Sequence, residues 1–583
     1  MTFDRSQPRG RAQLRLGAAA LLVFATSSAF AAAAEPHAAA KPRTTSHENA
    51  ALTRALQRRL QTIVVIYAEN RSFDNLYGNF SGAAGLNEVI DADGKPLPTY
   101  IPQKDRDGTL LATLPQTWGG VTAAGEAPVV TQAQSAGLPN APFAIESAFA
   151  TAAGAPLSSA GVTRDLVHRF YENQMEIDGG SNDGFAAWSN AGGLALGHFD
   201  HHRSALYQLA QRYVLADHFF QGAFGGSFLN HQYLICACAP EYPHADAPAS
   251  GAHPSITQLD RDADGAYLPR LTTSAKSPAS ALAGPPNYVA TGTISPDNYF
   301  GDQRYYAVNT MQPAYQPSGV VPADAEHLAY AKPSDDTTLP PLTHATIGDL
   351  LSAAGVRWKW YAGAWNAAVA DGEQAPDATR RVIYTPSAPR GTPDFQPHHA
   401  PFNYYAAFDP LTQADARRAH LQDYEDLLRD LHAGTLPAVA FYKPQGNLNQ
   451  HEGYANLDDG DRHIAELVRQ LQASPQWPHM LIVITYDEFG GVWDHVAPPQ
   501  GDLLGPGTRI PAILISPYTR RGGVDHTPYD TASILRLITR RFGLPSLDGI
   551  LARDAALQSH GAPPMGDLTA ALNLGTKQRH QVH

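Results

Sequence analysis

Cysteine is nearly absent: the chain has two in 583 residues, Cys236 and Cys238. A chain this long buries enough apolar surface to fold without crosslinks, so a disulfide scaffold is excluded as its organising device. A bridge across one intervening residue closes a very small ring and is strained. Both thiols are therefore expected to be buried small hydrophobes on a helix, with a redox role as the lesser alternative. Positive charge is also scarce. Lys and Arg number 42 against 55 Asp and Glu, a net charge of −13. That excludes a general nucleic-acid binder, which presents a basic face. Apolar runs with a targeting layout are missing after Ala34, so no membrane span is expected in the mature chain.

Bulk for a large core is plentiful: seven Trp, 25 Tyr and 21 Phe argue against a disordered chain. Residues 1–34 read as a secretory signal. Arg5, Arg9, Arg11 and Arg15 form a basic front, Leu16 to Phe24 a short apolar stretch, and Ser28-Ala29-Phe30-Ala31 a small-residue cleavage region. There is no Arg-Arg pair, so the expected route is of the Sec type, to the periplasm or outside the cell.

Residues 35–60 read as a linker turning helical from Glu48, residues 61–548 as one catalytic domain, and 549–583 as a C-terminal tail, loosely ordered after about Gly561. Gln61–Ala68 is a continuous β-branched run and predicts a buried parallel strand. Ala438–Tyr442, Met480–Tyr486 and Ile510–Ser516 predict more of the same kind. Asp461–Ala473 and Thr531–Phe542 carry apolar residues at helical spacing, and Ile347–Ala354 with Val356–Tyr361 adds a helix–strand unit. Strands alternating with amphipathic helices predict a layered α/β sheet. The stretch 240–396, dense in Pro, Gly, Ala, Ser and Thr, predicts a loop-rich cover over one edge.

In such sheets ligands bind beyond the carboxyl ends of strands. Glu69-Asn70 follows the first strand directly, and Asp487-Glu488 follows the third. Together they predict an oxygen-rich cation site. Each pair alone also reads as a helix cap or a solvated turn. Gly222, Gly225 and Gly226 precede Ser227, and a helical pattern follows, which places a hydroxyl in the positive field of a helix N-terminus, suited to phosphate. An ordinary N-cap Ser is the bland alternative. Leu229 stands where a G-x-S-x-G elbow needs Gly, which argues against a serine esterase. Histidines are many, 24 in all. His168, His231, His398, His399, His451 and His495 sit beside turn residues, placed to bind phosphoryl oxygens or protonate a leaving group. His201, His202, His580 and His583 read as surface residues.

The segments ENRSFDNLYG, GGSFLNHQY, HHAPFNYY, NQHEGY and YDEFGGVWDHVAPP, then GTRIPAILISPYTRRGGVDHTPYDTASILR, together resemble the bacterial acid phosphatase / phospholipase C family of the alkaline-phosphatase-like superfamily. The resemblance runs from about Gln61 to Leu544. It implies a three-layer α/β sandwich, with a mostly parallel central sheet and helices on both faces. It implies a divalent metal ion held by Glu69, Asn70, Asp487 and Glu488, and a nucleophile, Ser227, that also ligates the metal. It implies phosphate-binding histidines at His168, His398, His399 and His451. Glu488 departs from the acid phosphatase branch, which favours Asp there. The chain ends soon after its last core helix, without the extra β-domains usual in the phospholipase C members, and this favours the phosphatase branch. The expected activity is hydrolysis of small phosphate monoesters through a phosphoserine, with phospholipase C or phosphodiester hydrolysis at the same site as the alternative. Nucleic acids enter only as possible nucleotide substrates.

Overall fold

β-Branched side chains pack well on a pleated surface covered on both faces, and the longest such runs form the middle of the sheet. The computed structural model describes residues 46–151, 154–243, 255–257, 259–261, 267–269, 271–289, 299–385 and 393–575. The chain forms two units, residues 1–49 and Ala50–His583, and the second holds the whole sheet and site. The signal segment 1–34, His580 and His583 lie outside the described residues.

Eight strands make the main sheet: β1 (Thr62–Ala68), β2 (Val214–Ala216), β3 (Trp358–Ala362), β4 (Leu421–Asp423), β5 (Val439–Lys443), β6 (Met480–Tyr486), β7 (Ala512–Ile515) and β8 (Gly523–Asp525). Their order is β4-β3-β5-β1-β6-β7-β2-β8. Every side chain of β1 and β6 is buried. The helices include α1 (Ser46–Arg59), α2 (Phe170–Ile177), α3 (Ser227–Cys236), α4 (Ile347–Ala353), α5 (Tyr424–His432), α6 (Leu457–Ala473), α7 (Ala532–Phe542) and α8 (Asp548–Ser559). The result is the expected mixed α/β architecture, a mostly parallel sheet flanked by helices. No helix among the described residues is long and apolar enough to cross a membrane.

The structure departs from the sequence expectations at several points. β7 pairs antiparallel with both β6 and β2, not parallel. The reason lies in residues 487–511, which contain no helix among the secondary elements. Without a helical crossover the chain stays at the carboxyl end of β6 and must run back down. The helix–strand unit expected at Ile347–Ala354 and Val356–Tyr361 is present as α4 and β3, and β3 is an inner strand paired with β4 and β5. Cys236 and Cys238 form a disulfide. α3 ends at Cys236, and Ala237 adopts a left-handed conformation, φ 53°, which turns the chain back on itself and leaves the two Cα atoms 5.1 Å apart, within disulfide range. His201 is buried, 4% exposed, with its ring edge-on to Tyr77, whereas His202 stays in solvent.

Order also continues past residue 548. α8 buries Ile550, Arg553 and Leu557, and Leu568, Leu572 and Leu574 are buried beyond it. The stripe escaped notice because its middle member is an arginine. The Arg553 guanidinium is fully buried and reaches Asp502 (2.8 Å), Asp530 (2.9 Å) and the carbonyl of Gly222 (2.8 Å). It ties α8 to the glycine loop ahead of Ser227. Removing one member of a buried ionic group leaves the others uncompensated. Arg553→Met is therefore expected to destabilise the protein by about 3 kcal/mol, read as a lower midpoint in urea unfolding.

Candidate active site

The register of β1 against β6 builds the site. Thr62 pairs with Met480 and so on to Ala68 with Tyr486, so the next residues, Glu69 and Asp487, emerge side by side. The Asp487 N–H donates to Ala68 O at 3.1 Å. Asn70 sits at φ 60°, a left-handed conformation that Asn tolerates. Its backbone N–H donates to Asp487 Oδ1 at 3.1 Å. Glu69, Asn70, Asp487 and Glu488 all have no exposed surface.

Ser227 opens α3. The two residues before it must be glycine on steric grounds. Gly225 has φ +82°, and a Cβ there would lie 2.3 Å from Phe170 N; one on Gly226 would lie 2.7 Å from His168 O. This close approach lets the Ser227 hydroxyl reach Glu488 Oε1 at 3.2 Å and Asn70 Oδ1 at 3.4 Å. The four residues expected to hold a cation and the expected nucleophile thus converge.

The histidines divide into two groups. His168 and His451 flank Asn70: its Nδ2 lies 3.4 Å from His168 Nε2 and 3.0 Å from His451 Nε2. His168 Nδ1 donates to Leu166 O at 2.6 Å, and its Nε2 is 3.6 Å from Glu488 Oε1. His399 stands deeper, its Nε2 2.5 Å from Glu69 Oε1. His398 packs edge-on against it, with centroids 4.8 Å apart. A cavity of 620 Å³ opens over Ser227, walled by His168, His398, His451, Tyr384 and Tyr454. His495 is elsewhere, 2.6 Å from Asp74 in an ion-pair network with Arg509.

Three further residues belong to the site. Lys443, at the end of β5, is fully buried with Nζ 2.7 Å from Glu69 Oε1. His231, one turn along α3 from Ser227, donates Nδ1–H to Ser227 O at 2.7 Å and lies 3.7 Å from Asp487 Oδ2. Tyr454 stacks on His451 at 4.3 Å and turns its hydroxyl towards Glu69 Oε2 at 3.4 Å. His231 was visible as Ser227 plus four on a helix, a same-face spacing. Lys443 lies one residue past the strand predicted at Ala438–Tyr442, and nothing in its local pattern marks it as buried.

Electrostatics mark the carboxylates as short of positive charge. Burial raises Asp487 to about 7, with Glu69 nearby adding to the rise. Burial and Asp487 push Glu488 well above the carboxylate range. Neither has a Lys or Arg within ion-pair distance among the described residues, and Asp487 Oδ2 is buried without a hydrogen-bond partner. For Glu69, burial also acts upward, but His399, Lys443 and His451 outweigh it and hold it well below the usual range. Glu69, His231 and Asp487 each offer a ligand atom within 4.8 Å of the others. This donor set fits a divalent ion. Burial lowers His398 and His231 well below the ordinary value, His399 to about 4, and His451 also downward.

Cation binding must displace the proton that the buried acids hold. The affinity of the chelator-stripped protein for a divalent ion should therefore fall about tenfold for each pH unit below about 7, per proton displaced. Calorimetric titration with Mn²⁺ on either side of that pH checks it.

A mostly parallel α/β sheet with a serine hydroxyl, three carboxylates and an amide gathered at its carboxyl edge defines the class. The pattern of the Phosphoesterase family matches residues 60–545, and the chain belongs to that family. Phospholipase C B of Mycobacterium tuberculosis is 30% identical over 173 residues, covering 25% of this chain and 32% of that protein. Non-hemolytic phospholipase C of Burkholderia pseudomallei is 29% identical over 181 residues, covering 26% and 25%. The aligned part spans about a third or less of these relatives' length. A solved phosphonate monoester hydrolase from Silicibacter pomeroyi aligns over 65% of this chain and 73% of its own, at 10% identity and a TM-score of 0.28.

Proposed function

We propose that the chain is an exported, metal-dependent acid phosphatase that hydrolyses phosphate monoesters through a phosphoserine on Ser227. The observation that carries this reading is the hydroxyl of Ser227, at a helix N-terminus, within 3.4 Å of Asn70 and Glu488 on the floor of an open cavity. Glu69, Asn70, Asp487, Glu488 and Ser227 would hold a divalent ion, which supplies positive charge that lowers the hydroxyl's pKa and neutralises phosphoryl oxygens. The Ser227 hydroxyl passes its proton to the Glu488 carboxylate it donates to, Oγ attacks phosphorus in line, the seryl O–P bond forms and the ester O–P bond breaks. His168 gives the leaving alkoxide a proton. Water then attacks the phosphoserine and returns a proton to His168, while Glu488 returns its proton to Oγ, releasing inorganic phosphate and restoring the hydroxyl.

The geometry of His168 favours an acidic optimum. Its Nδ1–H is already committed to Leu166 O. Donation from Nε2, the atom facing the site, then requires the imidazolium form, which acid favours. Neutral His451, His398 and His399 line and orient the pocket without adding charge.

A second reading, phospholipase C or phosphodiester hydrolysis at the same site, is favoured by the names of the matched relatives. Rates on p-nitrophenyl phosphate, bis(p-nitrophenyl) phosphate and phosphatidylcholine, across acid to alkaline pH, separate the two. Preference for the monoester in acid supports the first reading; dominant phosphocholine release replaces it with the second. Export is tested by sequencing the N-terminus of protein recovered outside the cytoplasm, with cleavage expected near Ala31–Ala34.

A further inference from the structure

A second cluster of metal-binding side chains lies on the other half of the sheet. β2 and β8 pair in parallel, with Ala216 beside Asp525. That register brings the next residue of each strand, Asp217 and His526, side by side just past the strand ends, and His218 follows Asp217 directly. Asp217 is fully buried, and both of its oxygens are engaged. Oδ1 lies 2.8 Å from His218 Nδ1, and Oδ2 lies 2.8 Å from His526 Nδ1 and from the N–H of Ala84. One ligand atom from each of the three residues falls within 4.8 Å of the others. His526 is 61% exposed and His218 29%. The cluster opens beside a surface cavity of 410 Å³ that His526 lines.

We infer that Asp217, His218 and His526 form a second divalent-metal site, separate from the carboxylates beside Ser227. Two imidazole nitrogens aimed at one carboxylate is a donor set that suits Zn²⁺, Co²⁺ or Ni²⁺ better than a hard ion. Ligand bonds of about 2.0 to 2.2 Å around zinc need only small side-chain movements from this arrangement. Three protein ligands with a solvent-facing side leave room for water in the remaining position. The nearest other charges accommodate a cation. Asp525 adds negative charge, and its Oδ1 is 3.8 Å from Arg520. Arg509 meets Asp217 only at its backbone carbonyl, and its guanidinium is paired with Asp74 and Asp494. A metal here would clip together the end of β2, the edge strand β8 and the loop at Ala84. Those segments are far apart in sequence and share only a short edge.

The inference does not depend on which ester the protein cleaves. Its test is a Zn²⁺ titration of the full chain after chelator treatment, by calorimetry, on the wild type, His526→Ala and His218→Ala. Both histidines are partly in solvent, so the variants keep the fold, verified by circular dichroism. Asp217→Asn, which preserves shape while removing the charge, is the third variant. The wild type is expected to take up one more equivalent of Zn²⁺ than each variant. With Co²⁺, the difference spectrum between wild type and His526→Ala should show visible ligand-field bands of low-coordinate cobalt with nitrogen ligands. Equal zinc stoichiometry in all four proteins, or a featureless cobalt difference spectrum, overturns the site and leaves a hydrogen-bonded clasp.

Discussion

Ser227→Ala is expected to lower kcat by about 10⁴-fold or more, the scale seen when a nucleophile is removed from an otherwise intact site. The fold should survive. The hydroxyl makes its hydrogen bonds within the acidic cluster, to Glu488 and Asn70, and the helix it opens is held by Gly225, Gly226 and the buried face of α3. The variant should also fail to trap an acid-stable phosphoryl group when quenched during turnover with labelled substrate, while the wild type traps one per site. Turnover within tenfold of wild type would exclude the covalent route and leave direct attack by water. Loss of turnover together with loss of the folded state would instead point to a structural hydroxyl, so circular dichroism and the unfolding midpoint accompany the assay.

Much of this arrangement was legible in the sequence because local pattern and tertiary role coincide. Thr62–Ala68 and Met480–Tyr486 can hardly be anything but buried strands, and polar residues directly after such runs emerge at the sheet's edge. Ser227 was legible through its glycines, which let the backbone turn tightly and come close to a neighbouring group. What escaped depends on contacts between distant segments. Strand direction at β7 follows from a helix-free connection, not from the composition of Ala512–Ile515. The three-residue strands β2 and β4 exist because longer neighbours, β7 and β3, offer them an edge, and β8 in turn adds to β2. The Cys236–Cys238 bridge depends on the left-handed Ala237, a backbone state that alanine seldom adopts and pattern reading does not anticipate.

Lys443 illustrates this most sharply and carries the other large prediction. It is the last residue of β5, one past Tyr442, which pairs with Ile66 of β1 three residues before Glu69. Its ammonium group, fully buried, meets Glu69 Oε1 at 2.7 Å and Ala68 O at 3.3 Å, with the Tyr67 ring 5.3 Å away. Lys443→Met fills the same space but leaves a buried carboxylate without its one permanent cation. Breaking a buried pair from one side costs about 3–5 kcal/mol, and urea unfolding of the cation-free variant should show a loss of that size. Glu69 should then respond as an uncompensated acid: its pKa rises from well below the usual range. The pair's contribution, present above the ordinary carboxylate value of 4.5 and lost only at strongly acid pH in the wild type, should be missing across the neutral range in the variant. A divalent ion restores positive charge at the same carboxylate. Adding Mn²⁺ should therefore recover more stability in Lys443→Met than in the wild type. If the two proteins gain equally from the ion, Lys443 and the metal do not share Glu69, and the lysine serves only to seat the end of β5.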